Sequence, residues 1–211
     1  MKALVYKGER NVAYQSIPDP GIESATDVIV RVTLSAICGS DLHVYRQREK
    51  GQTPGTVMGH EFVGKVVEKG EAVTGLGIGD RVMSPFTTSC GECFFCKIGL
   101  TCRCVNGRLF GWIKGGEGLH GGQAELVRVP LAASTLMRLP DDVTDEEGLL
   151  LGDILSTGFF CAEMAEIGPN RSYALFGCGP VGLLALICSR ELGAERIYAY
   201  DPVDYRLAFA A

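Results

Sequence analysis

Four cysteines, at positions 90, 93, 96 and 104, constrain this chain more tightly than any other feature. The spacing Cys90-x2-Cys93-x2-Cys96-x7-Cys104 lets four thiolates close a tetrahedron around zinc and leaves no coordination position open. That makes the metal a structural brace for a short, irregular loop with little core of its own. Ligand type alone also admits an iron–sulfur cluster; zinc is the preferred reading. Cys102 is a spare thiol two residues before Cys104, so the fourth ligand is not fixed by spacing. Nine cysteines are many for a protein of a reducing compartment, where such a cluster points to metal rather than disulfides.

The N-terminal stretch MKALVYKGER is a short alternating strand without the apolar run of a signal peptide. No apolar run approaches the length that spans a bilayer. The chain is therefore expected to be cytoplasmic, with no membrane partner. Its formal net charge is -5 and its basic residues do not cluster, which argues against nucleic acid as a main partner.

Two patterns of organisation follow one another. Up to about residue 150, short strands alternate with turns. Val28, Val30 and Val32 alternate with Ile29, Arg31 and Thr33, as in a sheet strand with one wetter face. Glu61 to Val67 reads as another strand, and Gly64 inside it predicts a bulge or a close approach by a neighbour. Cys38 to Arg46 is too short to be read as a firm helix, although Asp41 could cap one turn there. Further strands are expected at Val82-Met83 and Ala124 to Val129, with a pocket-wall loop from Phe110 to Leu119. The pattern changes near Thr144, where Asp145, Glu146 and Glu147 precede an apolar, glycine-broken segment to Leu155. Thr157 to Ile167 reads as a helix, Tyr173 to Phe176 as a buried strand, Val181 to Leu192 as an apolar helix and Ile197 to Tyr200 as a second strand, which is βαβ patterning.

A second set of metal-ligating residue types lies in the first region. Cys38 and His60 are distant in sequence, as ligands assembled by a fold often are. Catalytic zinc takes three protein ligands and keeps one position open. The third candidate is Glu61 or Asp153. Asp153 is preferred, because it is an acid in the otherwise apolar stretch Leu149 to Leu155, where a carboxylate is costly unless paired or metal-bound. Glu61 then lies beside the metal or serves as an alternate ligand. Ser40 and His43 offer a hydroxyl and an imidazole for a proton relay; a turn cap and a surface histidine are the plain alternatives.

The second region carries Gly177-Cys178-Gly179-Pro180-Val181-Gly182 between the strand at Tyr173 and the helix from Val181. A strand before, a helix after and a second strand ending in Asp201 supply the context that a dinucleotide fingerprint requires. Gly177, Gly179 and Gly182, with Pro180 and Val181 at the helix start, would let pyrophosphate approach the backbone. Asp201 would accept bonds from ribose hydroxyls and repel a 2'-phosphate, which favours NAD over NADP. Arg206 is the nearby cation that could offset that preference.

Together these residues resemble the zinc-dependent medium-chain dehydrogenase/reductase (alcohol dehydrogenase) family. The resemblance is carried by Cys38-Gly39-Ser40-Asp41-x-His43, Gly59-His60-Glu61-x-x-Gly64, Gly79-Asp80-Arg81-Val82, the four-cysteine loop, Asp153-x-x-x-Thr157-Gly158, Gly177 to Gly182, and Asp201. It implies a mostly β GroES-like catalytic domain over residues 1–150, followed by a linker helix and the first part of an α/β Rossmann domain over 151–211. It also implies catalytic zinc on Cys38, His60 and Asp153, where many members have a cysteine at the last position. Ser40 and His43 would relay a proton, Glu61 would lie beside the metal, and Thr157 would sit near the nicotinamide. The segment Gly121-Gly122-Gln123-Ala124-Glu125 to Pro130 resembles the formaldehyde dehydrogenase-like branch. The expected substrate is a small alcohol or aldehyde.

Members of that family are considerably longer, so the sequence is expected to stop within the Rossmann domain. A two-stranded parallel fragment has uncovered edges and an apolar face. Residues 170 to 211 are therefore expected to pack against a partner chain in a homo-oligomer, unless the sequence is a fragment. The rival reading is a non-catalytic zinc-bearing scaffold that binds a partner.

Overall fold

A computed structural model describes residues 1–211, and two units separate within it, Met1–Gly152 and Asp153–Ala211. In the first unit, β1 (Lys2–Gly8) and β2 (Asn11–Ser16) form a hairpin. Then come β3 (Val28–Ser35), α1 (Gly39–Tyr45), β4 (Phe62–Lys69), β5 (Arg81–Ser84) and α2 (Phe94–Lys97). β6 (Trp112–Lys114) and β7 (Glu117–Leu119) form a second hairpin inside the expected Phe110–Leu119 loop. The unit closes with β8 (Leu126–Val129), α3 (Ala132–Thr135), β9 (Met137–Arg138) and α4 (Asp145–Leu151).

The organising sheet runs β8-β3-β4-β5-β9, and every neighbouring pair in it is antiparallel. Alternation in β3 and β4 sends Val28, Val30, Phe62 and Val66 to one side, where they meet Val82, Phe110, Val127 and Val129. Phe62 and Phe110 meet edge to face, with ring centroids 5.2 Å apart, a favoured aromatic geometry. The opposite side packs Val63, Met83, Leu139 and Leu149. Gly64 sits where β3 and β4 come closest: a Cβ there would lie 2.2 Å from the Arg31 carbonyl oxygen. The register slips between Val32 and Leu34, opposite it. Both outcomes expected of a strand-interior glycine are thus present.

One buried carboxylate ties this sheet to the segment that enters it. Asp27 is fully buried and accepts from the amides of Glu23 and Ser24 and from Arg128 Nη1 at 2.9 Å. The third histidine, His120, also serves structure: its Nδ1 accepts the buried Val57 amide at 3.1 Å.

α4 begins with a reciprocal Thr144–Glu147 capping box, which satisfies two of its orphan amides. Asp145 in its first turn accepts from Thr33 Oγ1 at 2.6 Å and from Arg81 Nη2 at 2.7 Å, joining β3, β5 and the helix. The Thr33 hydroxyl first, and then Arg81, hold the Asp145 carboxyl below its usual range. A depressed folded pKa gives stabilisation that is present above the unfolded value of about 4 and is lost as pH falls through the folded value. Arg81 and Asp145 keep 27% and 30% side-chain exposure, so solvent screens the pair. Asp145→Asn is therefore expected to cost about 1 kcal/mol at neutral pH. Thermal melts should show the gap between wild type and variant closing in acid; a gap that persists to a pH of about 3 contradicts the assignment.

The second unit contains α5 (Ile154–Met164), β10 (Ser172–Phe176), α6 (Pro180–Glu191), β11 (Arg196–Tyr200) and α7 (Asp204–Ala210). β10 and β11 are parallel and in register from Ser172↔Arg196 to Phe176↔Tyr200. The helix expected from Thr157 starts three residues earlier, because Asp153 takes its N-cap position. Gly158 lets α5 lie against α6: a Cβ there would sit 2.7 Å from the Ala185 amide nitrogen. Phe176 stacks on Tyr200, and both remain largely exposed, at 80% and 53%.

Candidate functional site

α1 is the element on which the first site is built. Seven residues with few apolar positions are a weak helix on their own. Two tertiary features hold it. The Asp41 carboxylate reaches back to accept the Cys38 amide at 2.9 Å, capping the helix start. Val44, on the same helix, is buried against Tyr6 and Met58. Cys38 is thereby fixed at the N-cap with extended backbone.

His60 arrives from the Gly55–Gly59 segment and is 8% exposed. Cys38 Sγ and a His60 ring nitrogen lie within 4.8 Å of one another. Ser40 Oγ stands 3.5 Å from His60 Nε2, and Asp41 Oδ1 stands 3.6 Å from His60 Nδ1. The carboxylate thus faces one side of the ring and leaves the other toward Ser40, the arrangement that orients a metal-binding imidazole. Asp41 was legible as a cap. Its position behind His60 was not, since nothing local signals a partner 19 residues away. His43 lies exposed on α1, and Glu61 is buried directly after His60.

The second cluster lies in the same unit. The sulfur atoms of Cys90, Cys93, Cys96 and Cys104 fall within 4.8 Å of one another, and none of the nine cysteines is in a disulfide. Four sulfurs at about 2.3 Å from one centre are about 3.8 Å apart, so this set is gathered closely enough to converge on one tetrahedral zinc. Cys102 is exposed and outside the group, whereas Cys104 lies within it. Backbone amides are aimed at the sulfurs: Cys90 N–H donates to Cys104 Sγ at 3.2 Å and Cys93 N–H to Cys90 Sγ at 3.4 Å. Amides of Cys96 and Val105 bring the Cys93 thiol down to about 6. Desolvation, with Cys93 beside it, pushes Cys96 up to about 11. The loop's amides therefore favour thiolate character at Cys90 and Cys93 over Cys96 before any metal binds.

In the second unit, Asp153 holds the N-cap of α5 without a side-chain capping bond, and its Oδ1 accepts the Thr157 hydroxyl at 3.2 Å. The glycine-rich turn leads from β10 into α6. Gly177 takes φ +97° and its amide donates to the Tyr200 carbonyl at 2.8 Å. A Cβ at Gly182 would lie 1.9 Å from the Gly177 oxygen, whereas one at Gly179 would meet nothing within 4 Å. Gly182 is thus required for the turn itself, and Gly179 keeps a clear approach to the start of α6. Pro180 occupies the first helical turn, a favoured place for it. Asp201 Oδ2 accepts the Cys178 amide at 2.8 Å and Oδ1 the Val203 amide at 2.9 Å; Arg206 Nη1 is 3.6 Å away. The Cys178 amide chiefly, with Val203 and Arg206 adding to it, holds the Asp201 carboxyl below its usual range.

The sequence matches the family described as alcohol dehydrogenase GroES-like domain over residues 24–141. It is 46% identical to the medium chain reductase/dehydrogenase ucsI of Acremonium sp, across 100% of this chain and 73% of that protein. The chain belongs to the zinc-type alcohol dehydrogenase family. A further member, zinc-type alcohol dehydrogenase B of Aspergillus flavus, is 44% identical over 100% of this chain and 49% of its own length. The solved alcohol dehydrogenase TADH from Thermus sp. ATN1 has the same fold, with a TM-score of 0.94 and 38% identity, over 100% of this chain and 60% of that one. The chain thus spans between about half and three-quarters of the length of the relatives it matches. The chain carries the family's GroES-like domain and the start of its Rossmann-type domain. No helix in either unit is long and apolar enough to cross a membrane.

Proposed function

We propose that the intact protein is a zinc-dependent oxidoreductase that transfers a hydride between a small alcohol or aldehyde and NAD. The observation that carries this reading is the Cys38–His60 pair, with Asp41 behind the imidazole and the Ser40 hydroxyl on its other side. Cys38, His60 and Asp153 hold the catalytic zinc, with Glu61 beside it; Cys90, Cys93, Cys96 and Cys104 hold the structural one. Thiolate, imidazole and carboxylate are a donor set that suits zinc.

When bound, the zinc supplies a Lewis acid that lowers the pKa of an alcohol, and NAD supplies the hydride acceptor. The chain's own residues do the rest. Ser40 accepts the alcohol proton as it passes its own hydroxyl proton on toward exposed His43, three residues along α1, which returns a proton to solvent. The turn from Gly177 to Gly182 brings backbone amides and the α6 N-terminus to the pyrophosphate. Asp201 accepts the ribose hydroxyls and disfavours a 2'-phosphate, which selects NAD; Arg206 beside it is the group that would relax the choice. Thr157, bonded to Asp153, lies at the nicotinamide end.

The test is NADH absorbance over a panel of alcohols and aldehydes. Zinc-dependent NADH formation that disappears in Cys38→Ser is expected; turnover that survives removal of that zinc sinks the proposal. A second reading, a zinc-bearing scaffold, draws on the exposed Phe176–Tyr200 stack, an apolar surface of the kind that marks contact sites. Two zincs with NAD binding favour the enzyme; one zinc and no NAD binding favour the scaffold.

A further inference from the structure

We propose that Gln123 is a positioning residue that governs how firmly Cys38 and His60 retain their metal. The inference rests on the reading of those two residues as zinc ligands. It concerns a side chain that is neither a ligand nor part of the proton relay.

Gln123 touches both arms of the pair. On the His60 arm, its amide nitrogen donates to the Met58 carbonyl at 2.9 Å. Gly59, the residue before His60, lies flat on the glutamine stem: a Cβ at Gly59 would come within 2.4 Å of Gln123 Cγ. Gly121 allows this approach, since a Cβ there would lie 2.0 Å from the Gly59 oxygen. On the Cys38 arm, the side-chain amide has two N–H donors and two acceptors to meet them. Nε2 donates to the Ala36 carbonyl at 3.0 Å, two residues before Cys38, and to Asp41 Oδ2 at 3.3 Å. That same Asp41 oxygen accepts the Cys38 amide, and its other oxygen faces His60 Nδ1 at 3.6 Å.

A separation of 3.6 Å is longer than a hydrogen bond. The hold of Asp41 on the imidazole therefore depends on where the carboxylate is kept, and Gln123 shares that task with the Cys38 amide. A side chain of the same length without donors would preserve the packing under Gly59. It would leave Asp41 Oδ2 with the Cys38 amide alone and free the Ala36 carbonyl. Partners of this kind, one step removed from a metal ligand, characteristically change metal affinity by about 10- to 100-fold.

The experiment follows zinc transfer from the full chain to a chromophoric chelator, with the four-cysteine zinc as an internal reference for an intact fold. Gln123→Met is expected to release the Cys38–His60 zinc about tenfold faster and to leave release from the four-cysteine loop unchanged. Gln123→Glu, which sets an acceptor against Asp41, is expected to release it faster still. The action runs mainly through Asp41, so adding Gln123→Met to Asp41→Asn should change the rate by less than about twofold beyond Asp41→Asn alone. Wild-type release rates in Gln123→Met and Gln123→Glu overturn the proposal while leaving the zinc reading intact. Full additivity with Asp41→Asn, or faster loss of both zincs together, also overturns it by showing a merely structural effect. A single zinc in the wild-type chain overturns the underlying reading instead.

Discussion

Cys93→Ser is expected to remove one zinc and to melt the loop from Cys90 to Gly107, while the five-stranded sheet persists. The loop has almost nothing else to order it. Phe94, Ile98 and Val105 are 69%, 52% and 69% exposed, so burial of apolar surface contributes little there. Its helices, Phe94–Lys97 and the single 3-10 turn Thr101–Arg103, are far below the length at which an isolated helix holds. Zinc on cysteine ligands contributes on the order of 10 kcal/mol in small peptides that fold around it, which is ample to offset the entropy of ordering a segment this size. The base of the loop is anchored separately, by the Ser89 amide on Thr135 Oγ1 at 3.0 Å and by the Thr88 amide on the Arg108 carbonyl at 2.9 Å. Hydrogen exchange should therefore show loss of protection confined to residues between those anchors. Unchanged protection across 90–107 contradicts the role of the metal as a brace.

Gly64→Ala should be the most damaging single methyl in the sheet. Its Cβ would meet the Arg31 carbonyl oxygen at 2.2 Å and Val30 Cγ1 at 2.7 Å. The closer obstacle is backbone, not the end of a flexible side chain. β3 cannot retreat from it, because β8 pairs with its other edge from Val28↔Val129 to Arg31↔Leu126. Overpacking that side chains can absorb costs about 1–3 kcal/mol, and a clash between two pinned strands belongs at or above the upper end of that range. Such a loss is a large share of the stability of an ordinary domain. Denaturant unfolding should show a much lower midpoint, and Gly21→Ala, where a Cβ meets nothing within 4 Å, should leave it in place. A midpoint change worth less than about 1 kcal/mol contradicts the account of the close approach.

Gly64 also shows why parts of this fold are readable from the chain alone. A glycine inside an apolar strand has few explanations, and both of the expected ones hold here. The four-cysteine spacing is similarly local, although only the fold separates Cys104 from Cys102. The βαβ pattern around Gly177 reads directly, because strand, turn and helix are contiguous. What resisted reading depends on distant partners. α1 is held by Val44 against Tyr6 and Met58, contacts no local window contains. Asp41 gains its place behind His60 from that helix, and Gln123 reaches Asp41 across 82 positions. The β6–β7 hairpin is a different failure. Gly115-Gly116 at its turn, with φ of +60° and +86°, is a legible hairpin signal, with Trp112-Ile113 before it and Leu119 after it. The stretch from Phe110 to Leu119 was nonetheless expected to be loop throughout.

Two separate zinc centres are expected in this chain, one closed by four thiolates and one started by Cys38 and His60. Metal analysis of purified wild type, Cys38→Ser and Cys93→Ser tests this most directly. The expected result is two zincs per chain in wild type and one in each variant, with Cys38→Ser retaining the ordered 90–107 loop. A single zinc in wild type, or two in Cys38→Ser, would contradict it.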